Sequence, residues 1–127
     1  MSSTSEVTVV VDMVFPTQTN HYGTLFGGEA LKLMDKAAFI MASRDARQFF
    51  VTASIDRTDF KHPVRLGELA EVQARVISRG RSSITVETQL FSETLLTGER
   101  ILCATAQFVM VAVTAEGRPQ ALAYAHG

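Results

Sequence analysis

The sequence is poor in cysteine and proline, lacks tryptophan and carries almost no excess charge. It contains one Cys and three Pro in 127 residues, and its formal net charge is -1. The single cysteine, Cys103, cannot form a disulfide within the chain. Because the charge is nearly balanced and no long Lys/Arg run occurs, we expect no nucleic-acid partner. No apolar run approaches the roughly 20 residues that span a bilayer, so we expect no membrane insertion.

Several signals of other protein classes are also missing. The segment Met1–Glu6 lacks the basic and apolar regions of a signal peptide, which predicts a cytoplasmic location. No set of Cys, His, Asp and Glu has the spacing of a metal site, so we expect no metal. The sequence has no Gly-x-Ser-x-Gly elbow, which argues against a serine nucleophile. Cys103 lies in an apolar strand pattern, which is more typical of a buried structural thiol than of a nucleophile.

The length and the apolar content predict one domain over residues 1–127, with an ordered core at about 6–118. An apolar content of 46% is enough for one well-buried core. One segment has the three- and four-residue spacing of an amphipathic helix, from near Phe26 or Gly27 to about Arg44. Its apolar positions are Ala30, Leu31, Met34, Ala37, Ala38 and Met41.

The rest of the chain has the alternation and the β-branched residues of strands. The predicted strands are Glu6–Phe15, Phe49–Phe60, Leu69–Ser78, Ser83–Phe91 and Arg100–Val113. The last of these is the most apolar and is predicted to be central, and every connection after the helix is short enough for a hairpin. We therefore predict an α+β fold in which an antiparallel sheet of about five or six strands wraps around one helix. A homodimer formed through an edge strand or the helix would cover the remaining apolar surface.

A loop with three glycines leads into the helix and is followed by one carboxylate within the apolar pattern. Gly27 and Gly28 can present backbone N–H groups at the helix N-terminus, where the macrodipole favours negative charge. Asp35 lies between Met34 and Ala37, where burial of a carboxylate costs desolvation free energy. The alternative is that Asp35 points to solvent together with Lys32 and Lys36.

Two blocks of residues resemble those of the hotdog-fold acyl-CoA thioesterases, in the branch with the YciA-type bacterial enzymes and the brain-type cytosolic acyl-CoA hydrolases. The resemblance covers about residues 8 to 120 and has its blocks in the expected order. The first block comprises Phe15-Pro16, Thr19-Asn20, Gly23, Leu25–Gly28, Leu33–Asp35 and Ala37-Ala38; the second comprises Phe60, Pro63-Val64, Gly67 and Gly80–Ser83.

The resemblance implies a hotdog fold, a dimer with a continuous sheet, and hydrolysis of an acyl-CoA thioester to free CoA and a carboxylic acid. Family members often assemble further, as trimers of dimers. No separate cofactor is implied, since coenzyme A is part of the substrate and the product. By position, Asp35 matches the catalytic acid, Asn20 matches the asparagine that works with it, and Gly27 and Gly28 match the oxyanion site.

The chemistry of thioester hydrolysis assigns roles to these residues. Asp35 would act as general base or as the attacking nucleophile, Gly27 or Gly28 N–H would hold the oxyanion, and Asn20 would orient the water or the carbonyl. Asp35 lies about 10 Å along the helix from Gly28, at ~1.5 Å per residue. One carbonyl cannot easily contact both, so we hypothesise that two subunits contribute to each of two composite sites.

The segment Gly80–Ser83 is a candidate for binding the CoA phosphates. Gly80 permits a tight turn, while Arg81, Ser82 and Ser83 can donate hydrogen bonds to phosphate oxygens. The alternative is a plain hairpin turn with a solvated arginine. Lys61, His62 and Arg65, near Pro63, are weaker candidates for the same role.

Two other functions remain open at this point. A hotdog hydratase or dehydratase would need a histidine paired with the acid, and no histidine accompanies Asp35 on the helix. A non-catalytic acyl-CoA-binding module would have no use for the pair Asn20 and Asp35.

Overall fold

The computed structural model describes residues 6–123, which form one long helix and five strands. These elements confirm the predicted order of one strand, the helix and then four strands. Their bounds are β1 (Thr8–Met13), α1 (Gly27–Ala46), β2 (Phe49–Phe60), β3 (Leu69–Arg79), β4 (Ser83–Glu93) and β5 (Arg100–Val113), with a single 3-10 turn at Pro16–Gln18. Residues 1–5 and 124–127, which the predicted single domain includes, lie outside the described residues.

The five strands form one antiparallel sheet in the order β1-β3-β4-β5-β2. The segment Arg100–Val113, predicted to be central, forms β5, an interior strand between β4 and β2, and β4 is the middle strand of the sheet. The link from β2 to β3, predicted to be short enough for a hairpin, does not form one, because β2 pairs with β5 and not with β3. Pairing with β5 places β2 at the edge opposite β1, so residues 61–68 must carry the chain back across the sheet.

This connection holds the glycine loop in front of the helix. Leu25 N–H donates to the carbonyl of Val64 at 2.8 Å, and Leu66 N–H donates to the carbonyl of Gly23 at 2.9 Å. Gly23 has φ +79°, a left-handed conformation that favours glycine. The link thus fixes the segment that starts α1.

The helix packs one face against the concave side of the sheet. Its buried positions are mostly small, which lets the helix axis approach the strands closely. The buried helix residues are Ala30, Leu33, Met34, Ala37, Ala38, Met41, Ala42 and Ala46. The strands contribute alternating buried side chains, among them Val72, Ala74, Ile84, Val86, Leu90, Phe108 and Met110, as predicted for β3 and β4.

Some element ends differ from the predicted ones. α1 continues past Arg44 to Ala46 and ends with Arg47 in a left-handed conformation, φ 54°. The longer helix depends on a tertiary contact. Arg79 of β3 donates to the carboxylate of Asp45 at 3.0 and 2.6 Å, which stabilises this acidic residue in the last turn of α1. β1 is shorter than Glu6–Phe15, because Val14 N–H donates to the carbonyl of Glu68, beyond the paired strand.

The edge strand β2 leaves an apolar surface uncovered. Every residue of β2 except Phe50 is exposed, including Phe49 at 67% and Phe60 at 51%. On the helix, Phe39 is also exposed, at 46%. A long, apolar and unpaired edge is the kind of surface that another chain covers.

Candidate active site

Asp35 lies in the middle of α1 and is held by an edge strand. Thr52 Oγ1 of β2 donates to Asp35 Oδ1 at 2.5 Å, and the same hydroxyl lies 3.5 Å from the sulfur of Met110. Asp35 is half-buried, and within residues 6–123 its second carboxylate oxygen has no hydrogen-bond partner. The carboxylate is thus fixed at one oxygen and open at the other.

Asp35 is half-buried against β2, whereas Lys32 and Lys36 are exposed. In the described part of the chain, no ion pair joins Asp35 to Lys32 or Lys36. Asp35 faces β2, on the side of the uncovered surface. Thr52 is the functional candidate that the sequence reasoning missed, since only the packing of α1 on β2 brings these two residues together.

Asn20 organises the loop that precedes the helix. Its Oδ1 accepts from Tyr22 N–H at 3.0 Å, from Thr24 N–H at 3.1 Å and from Thr24 Oγ1 at 3.1 Å. Because three donors contact this atom, it is the carbonyl oxygen of the amide, and the other terminal atom is the NH₂ nitrogen. That NH₂ has no acceptor within 6–123, so it remains available as a donor to a ligand.

The helix begins without a side-chain cap. Its N-cap residue is Phe26, which makes no capping hydrogen bond, whereas Ser, Thr, Asp or Asn would fill this role. No acceptor among the described residues receives the N–H of Gly27 or Gly28. A Cβ added at Gly27 would meet the ring of Phe60 at 3.8 Å, and one at Gly28 would meet no atom within 4 Å. The amides therefore stand at an open surface beside Phe60.

A cavity of about 320 Å³ brings the helix start together with two of the predicted carrier-binding residues. Lys61 and His62 are held there because both of their backbone N–H groups donate to the carbonyl of Cys103, at 2.7 and 3.2 Å. Lys61 also lies 3.7 Å from Asp59. Cys103 itself is buried, as predicted. The lining residues are Leu25, Gly27, Ala30, Phe60, Lys61, His62, Pro63, Val64, Leu90 and Ala104.

The remaining predicted site residues are not brought together within one chain. Neither Asn20 nor Asp35 lines this cavity, and no hydrogen bond in the described region joins Asp35 to Asn20. Asp35 is about 10 Å along the helix from Gly28, at ~1.5 Å per residue. The chain thus carries the donors and the acid at separate places on one helix.

The turn Gly80–Ser83 lies near the other end of the helix, where Arg79 binds Asp45. Gly80 N–H donates to the carbonyl of Ser83 at 2.8 Å. A Cβ at Gly80 would come within 2.9 Å of Ser83 Oγ, so any other residue here would require the Ser83 side chain to shift. Arg81 is exposed, and its guanidinium has no protein partner in the part of the chain that is described. Arg65, the weaker candidate, is exposed in the β2–β3 connection.

Neither a metal-binding cluster nor a membrane-spanning helix occurs among the described residues, 6–123. No group of three or more His, Cys, Asp and Glu side chains is arranged to hold a metal ion. The helix of this region is not long and apolar enough to cross a membrane.

Comparisons with known proteins identify relatives over most of the chain. The model of the thioesterase superfamily matches residues 22–99. The protein named uncharacterized acyl-CoA thioester hydrolase YkhA, of Bacillus subtilis, is 39% identical over 111 residues, which are 87% of this chain and 64% of that protein. This chain is thus shorter than several of its relatives, and spans 45% of the acyl-CoA hydrolase chain from Agrobacterium tumefaciens described next.

Solved structures agree with the fold. The Agrobacterium tumefaciens hydrolase is 47% identical, covers 91% of this chain and superposes with a TM-score of 0.86. The Staphylococcus aureus acyl-CoA hydrolase, solved with butyryl-CoA and CoA, is 32% identical with a TM-score of 0.88, covering 96% of this chain and 74% of that one. Hexameric relatives occur, such as a Yersinia pestis thioesterase that is 31% identical, with a TM-score of 0.87, over 94% of this chain and 97% of that one.

The fold is the curved sheet around one helix that defines the hotdog thioesterases, as the resemblance implied. The family match covers more than half of the residues, and the relatives extend it over nearly the whole chain. The chain therefore belongs to the thioesterase superfamily.

Proposed function

We propose that this protein hydrolyses acyl-CoA thioesters to free CoA and a carboxylic acid. The observation that carries the proposal is the state of Asp35: one carboxylate oxygen is fixed by Thr52, and the other has no partner within residues 6–123. A half-buried carboxylate that is held in one orientation and forms no ion pair is suited to accept a proton from water. The relatives that are named as acyl-CoA thioester hydrolases support this reading.

In the general-base form of the reaction, Asp35 takes a proton from water while the water oxygen attacks the thioester carbonyl. The carbonyl oxygen becomes negative and accepts hydrogen bonds from the N–H of Gly27 or Gly28, assisted by the helix macrodipole. When the tetrahedral intermediate collapses, the C–S bond breaks and the proton on Asp35 passes to the departing thiolate. The Asn20 NH₂ orients the water or the carbonyl. If Asp35 instead attacks the carbonyl directly, the C–S bond breaks, the CoA thiolate leaves and an acyl anhydride forms on Asp35; water then hydrolyses the anhydride to the carboxylic acid and free Asp35.

The donors and the acid of one site come from two subunits in this proposal. The roughly 10 Å between Gly28 and Asp35 prevents one small carbonyl from contacting both on the same helix. A second copy placed against the exposed edge β2 would bring its own helix start toward Asp35 and Thr52. The apolar exposure of Phe49 and Phe60 supports a homodimer as the minimum unit, and the hexameric relatives support further assembly as a trimer of dimers.

The site assignment has independent support from the pair Asn20 and Asp35. Among the Staphylococcus aureus structures are one variant with an asparagine replaced by alanine and one with an aspartate replaced by alanine. In that protein the two positions are fifteen residues apart, the same separation as between Asn20 and Asp35. The parallel supports the pairing of these two residues in one function.

Carrier binding is assigned to the Gly80–Ser83 turn, with Lys61 and His62 as a second group of donors. Arg81 is exposed without a protein partner in the described chain, so its guanidinium can meet a phosphate without first breaking an ion pair. Lys61 and His62 line the cavity at the helix start. CoA is part of substrate and product here, and the assigned chemistry requires no metal and no separate cofactor. The proposed location is the cytoplasm.

The test is release of free thiol from a panel of acyl-CoAs. We expect the wild-type protein to release thiol, whereas a hydratase would leave the thioester intact and a binding module would consume nothing. Asp35→Asn keeps the acceptor for Thr52 but removes the base, so turnover should fall by about 10²-fold or more with the affinity for CoA retained. Arg81→Ala should mainly raise KM. Near-normal turnover of Asp35→Asn would refute the role of Asp35.

A further inference from the structure

The end of the described chain forms a strap across the Gly80–Ser83 turn. After β5 the chain reverses, and residues Gln120–Ala123, here called the C-terminal strap, run back beside the end of that strand. Gln120 N–H donates to the carbonyl of Ala112 at 2.8 Å, and Leu122 N–H donates to the carbonyl of Arg81 at 2.9 Å. The side chain of Leu122 packs against the hydrophobic core. The strap thus connects the core directly to Arg81.

The side chain of Gln48 clamps this strap by two hydrogen bonds, one on each side of Leu122. Gln48 Nε2 donates to the carbonyl of Ala121 at 3.1 Å, and Gln48 Oε1 accepts from Ala123 N–H at 2.8 Å. Gln48 directly follows Arg47, the residue in a left-handed conformation that ends α1. The end of the helix therefore positions Gln48. These two bonds flank Leu122, the residue that binds Arg81.

Three successive backbone carbonyls of the turn accept hydrogen bonds. The carbonyl of Arg81 accepts from Leu122, the carbonyl of Ser82 accepts from Ala112 at 2.8 Å, and the carbonyl of Ser83 accepts from Gly80. Because three successive carbonyls accept hydrogen bonds, the backbone that carries the exposed Arg81 side chain is fixed. Of these three bonds, only the one at Arg81 depends on the strap, since the other two come from β5 and from the turn itself.

We infer that Gln48 is a positioning residue for carrier recognition: through the strap it fixes the backbone of Arg81, so that the guanidinium is preorganised for a CoA phosphate. This inference rests on the proposed function of the Gly80–Ser83 turn. Preorganisation lowers the entropic cost of binding, and a guanidinium on a loose turn would lose part of that advantage. Gln48 does not contact the reacting atoms, so the effect should fall on KM and not on kcat.

The test compares two substrates that differ only in the part that Arg81 would contact. Gln48→Leu removes both clamp hydrogen bonds with little change of volume. We expect KM for acyl-CoA to rise roughly fivefold, the value of about one hydrogen bond, with kcat unchanged. The same variant should not change KM for the matching acyl-pantetheine, which lacks the nucleotide phosphates. The control Gln120→Leu alters an exposed glutamine of the same strap whose side chain makes no hydrogen bond in the described chain, and should leave both substrates unaffected.

Coupling to Arg81 provides a second measurement. In an Arg81→Ala background, Gln48→Leu should produce no further rise of KM, because the side chain that it positions is gone. Amide hydrogen exchange at Leu122 and Ala123 should accelerate in Gln48→Leu while the midpoint of unfolding stays the same, which reports the clamp without any assay of activity. Equal effects on both substrates, additive effects with Arg81→Ala, or unchanged exchange would overturn the inference. Absence of thiol release by the wild-type protein would instead refute the proposed function.

Discussion

Phe26 is a poor cap for the helix that it precedes, and this defect leaves the helix start chemically available. Its φ of -60° and ψ of 142° are those of an N-cap, but its side chain cannot accept from the next N–H groups. A Ser or Asp at this position would stabilise the helix by roughly 1 kcal/mol and would accept from the N–H of Gly28 or Glu29. The uncapped start is consistent with amides kept free for an oxyanion.

Gly27→Pro tests whether the N–H at the first helical position is the donor. Proline fits the first turn of a helix, and the extended conformation of Phe26 suits the residue before a proline. The substitution therefore removes one N–H with little strain. We expect kcat for thioester hydrolysis to fall by about 10²- to 10³-fold, as for one lost oxyanion donor.

Gly27→Ala is the matched control, since it retains the N–H and has 3.8 Å of clearance to Phe60. It should keep most of the activity. If Gly27→Pro were as active as Gly27→Ala, the donor would have to be the N–H of Gly28.

Thr52 is expected to act through Asp35. Thr52→Val removes the hydroxyl that donates to Asp35 Oδ1 at 2.5 Å but keeps the shape and the strand propensity. A hydrogen bond to a charged group is worth about 1.5–3 kcal/mol, so a drop in kcat of at least ~10-fold is expected, measured by thiol release. Thr52→Ser retains the hydroxyl and should be close to wild type. Equal kcat for Val and Ser variants would show that Asp35 needs no such restraint.

At the scale of elements, Arg100 of β5 connects three strands on the outer face of the sheet. Its guanidinium donates to both carboxylate oxygens of Glu71 on β3 at 2.9 Å and to Glu93 on β4 at 3.1 Å. It also lies 4.8 Å from the centre of the ring of Phe91. The hydrogen bonds from Arg100 lower the pKa of Glu71, and Glu71 raises the pKa of Arg100 in turn.

This network predicts a pH-dependent contribution to stability. Because the pKa of Glu71 is lower in the folded chain than the ordinary value of 4.5, the interaction stabilises the fold above about pH 4.5. It is lost as the pH falls through the lowered pKa. Glu71→Gln should reduce the free energy of unfolding by about 1 kcal/mol at pH 7, for a partly exposed pair, and by clearly less at pH 3. Urea titrations at the two pH values measure this difference.

Glu87→Gln is the control for that measurement, because Glu87 points outward from β4 and makes no ion pair in the described chain. Its effect should be small at both pH values. A Glu71→Gln effect that stayed constant between pH 7 and pH 3 would contradict the assignment to the charge on Glu71.

For the molecule as a whole, the proposed site is incomplete in a single chain. Asp35 faces the uncovered edge strand β2, which carries Thr52, whereas the free amides and Asn20 lie at the start of the helix. Complementation between two inactive variants tests this division. Asn20→Asp keeps the Oδ1 that organises the loop but removes the NH₂ donor, and Asp35→Ala removes the base.

Each variant alone should release almost no thiol. Refolded together at equal amounts, half of the dimers are mixed, and one of the two sites in each mixed dimer is intact. We therefore expect about a quarter of the wild-type activity, given two-fold symmetry. A site built within one chain would give no recovery, because every site would then contain one of the two defects. Wild-type protein that is active as a monomer in light scattering would also contradict the composite site.

The sequence by itself determined the elements, because periodicity depends only on which residues must face a core. The five strands, the helix from Gly27 and the inward faces of β3 and β4 follow from spacing alone. The resemblance supplied Asp35 and Asn20, and spacing along one helix already separated Asp35 from the glycines. This information is contained in the order and the types of the residues and does not depend on tertiary contacts.

Only the tertiary structure decided which elements meet. The pairing of β2 with β5 joins two segments that are distant in the chain, which local patterns do not encode. That pairing brings Thr52 to Asp35, and the packing of α1 on β3 brings Arg79 to Asp45 and so lengthens the helix. The clamp of Gln48 on Ala121 and Ala123 spans more than seventy residues. Contacts between residues so distant in the chain arise from the balance of all packing interactions, so no single segment of the sequence specifies them.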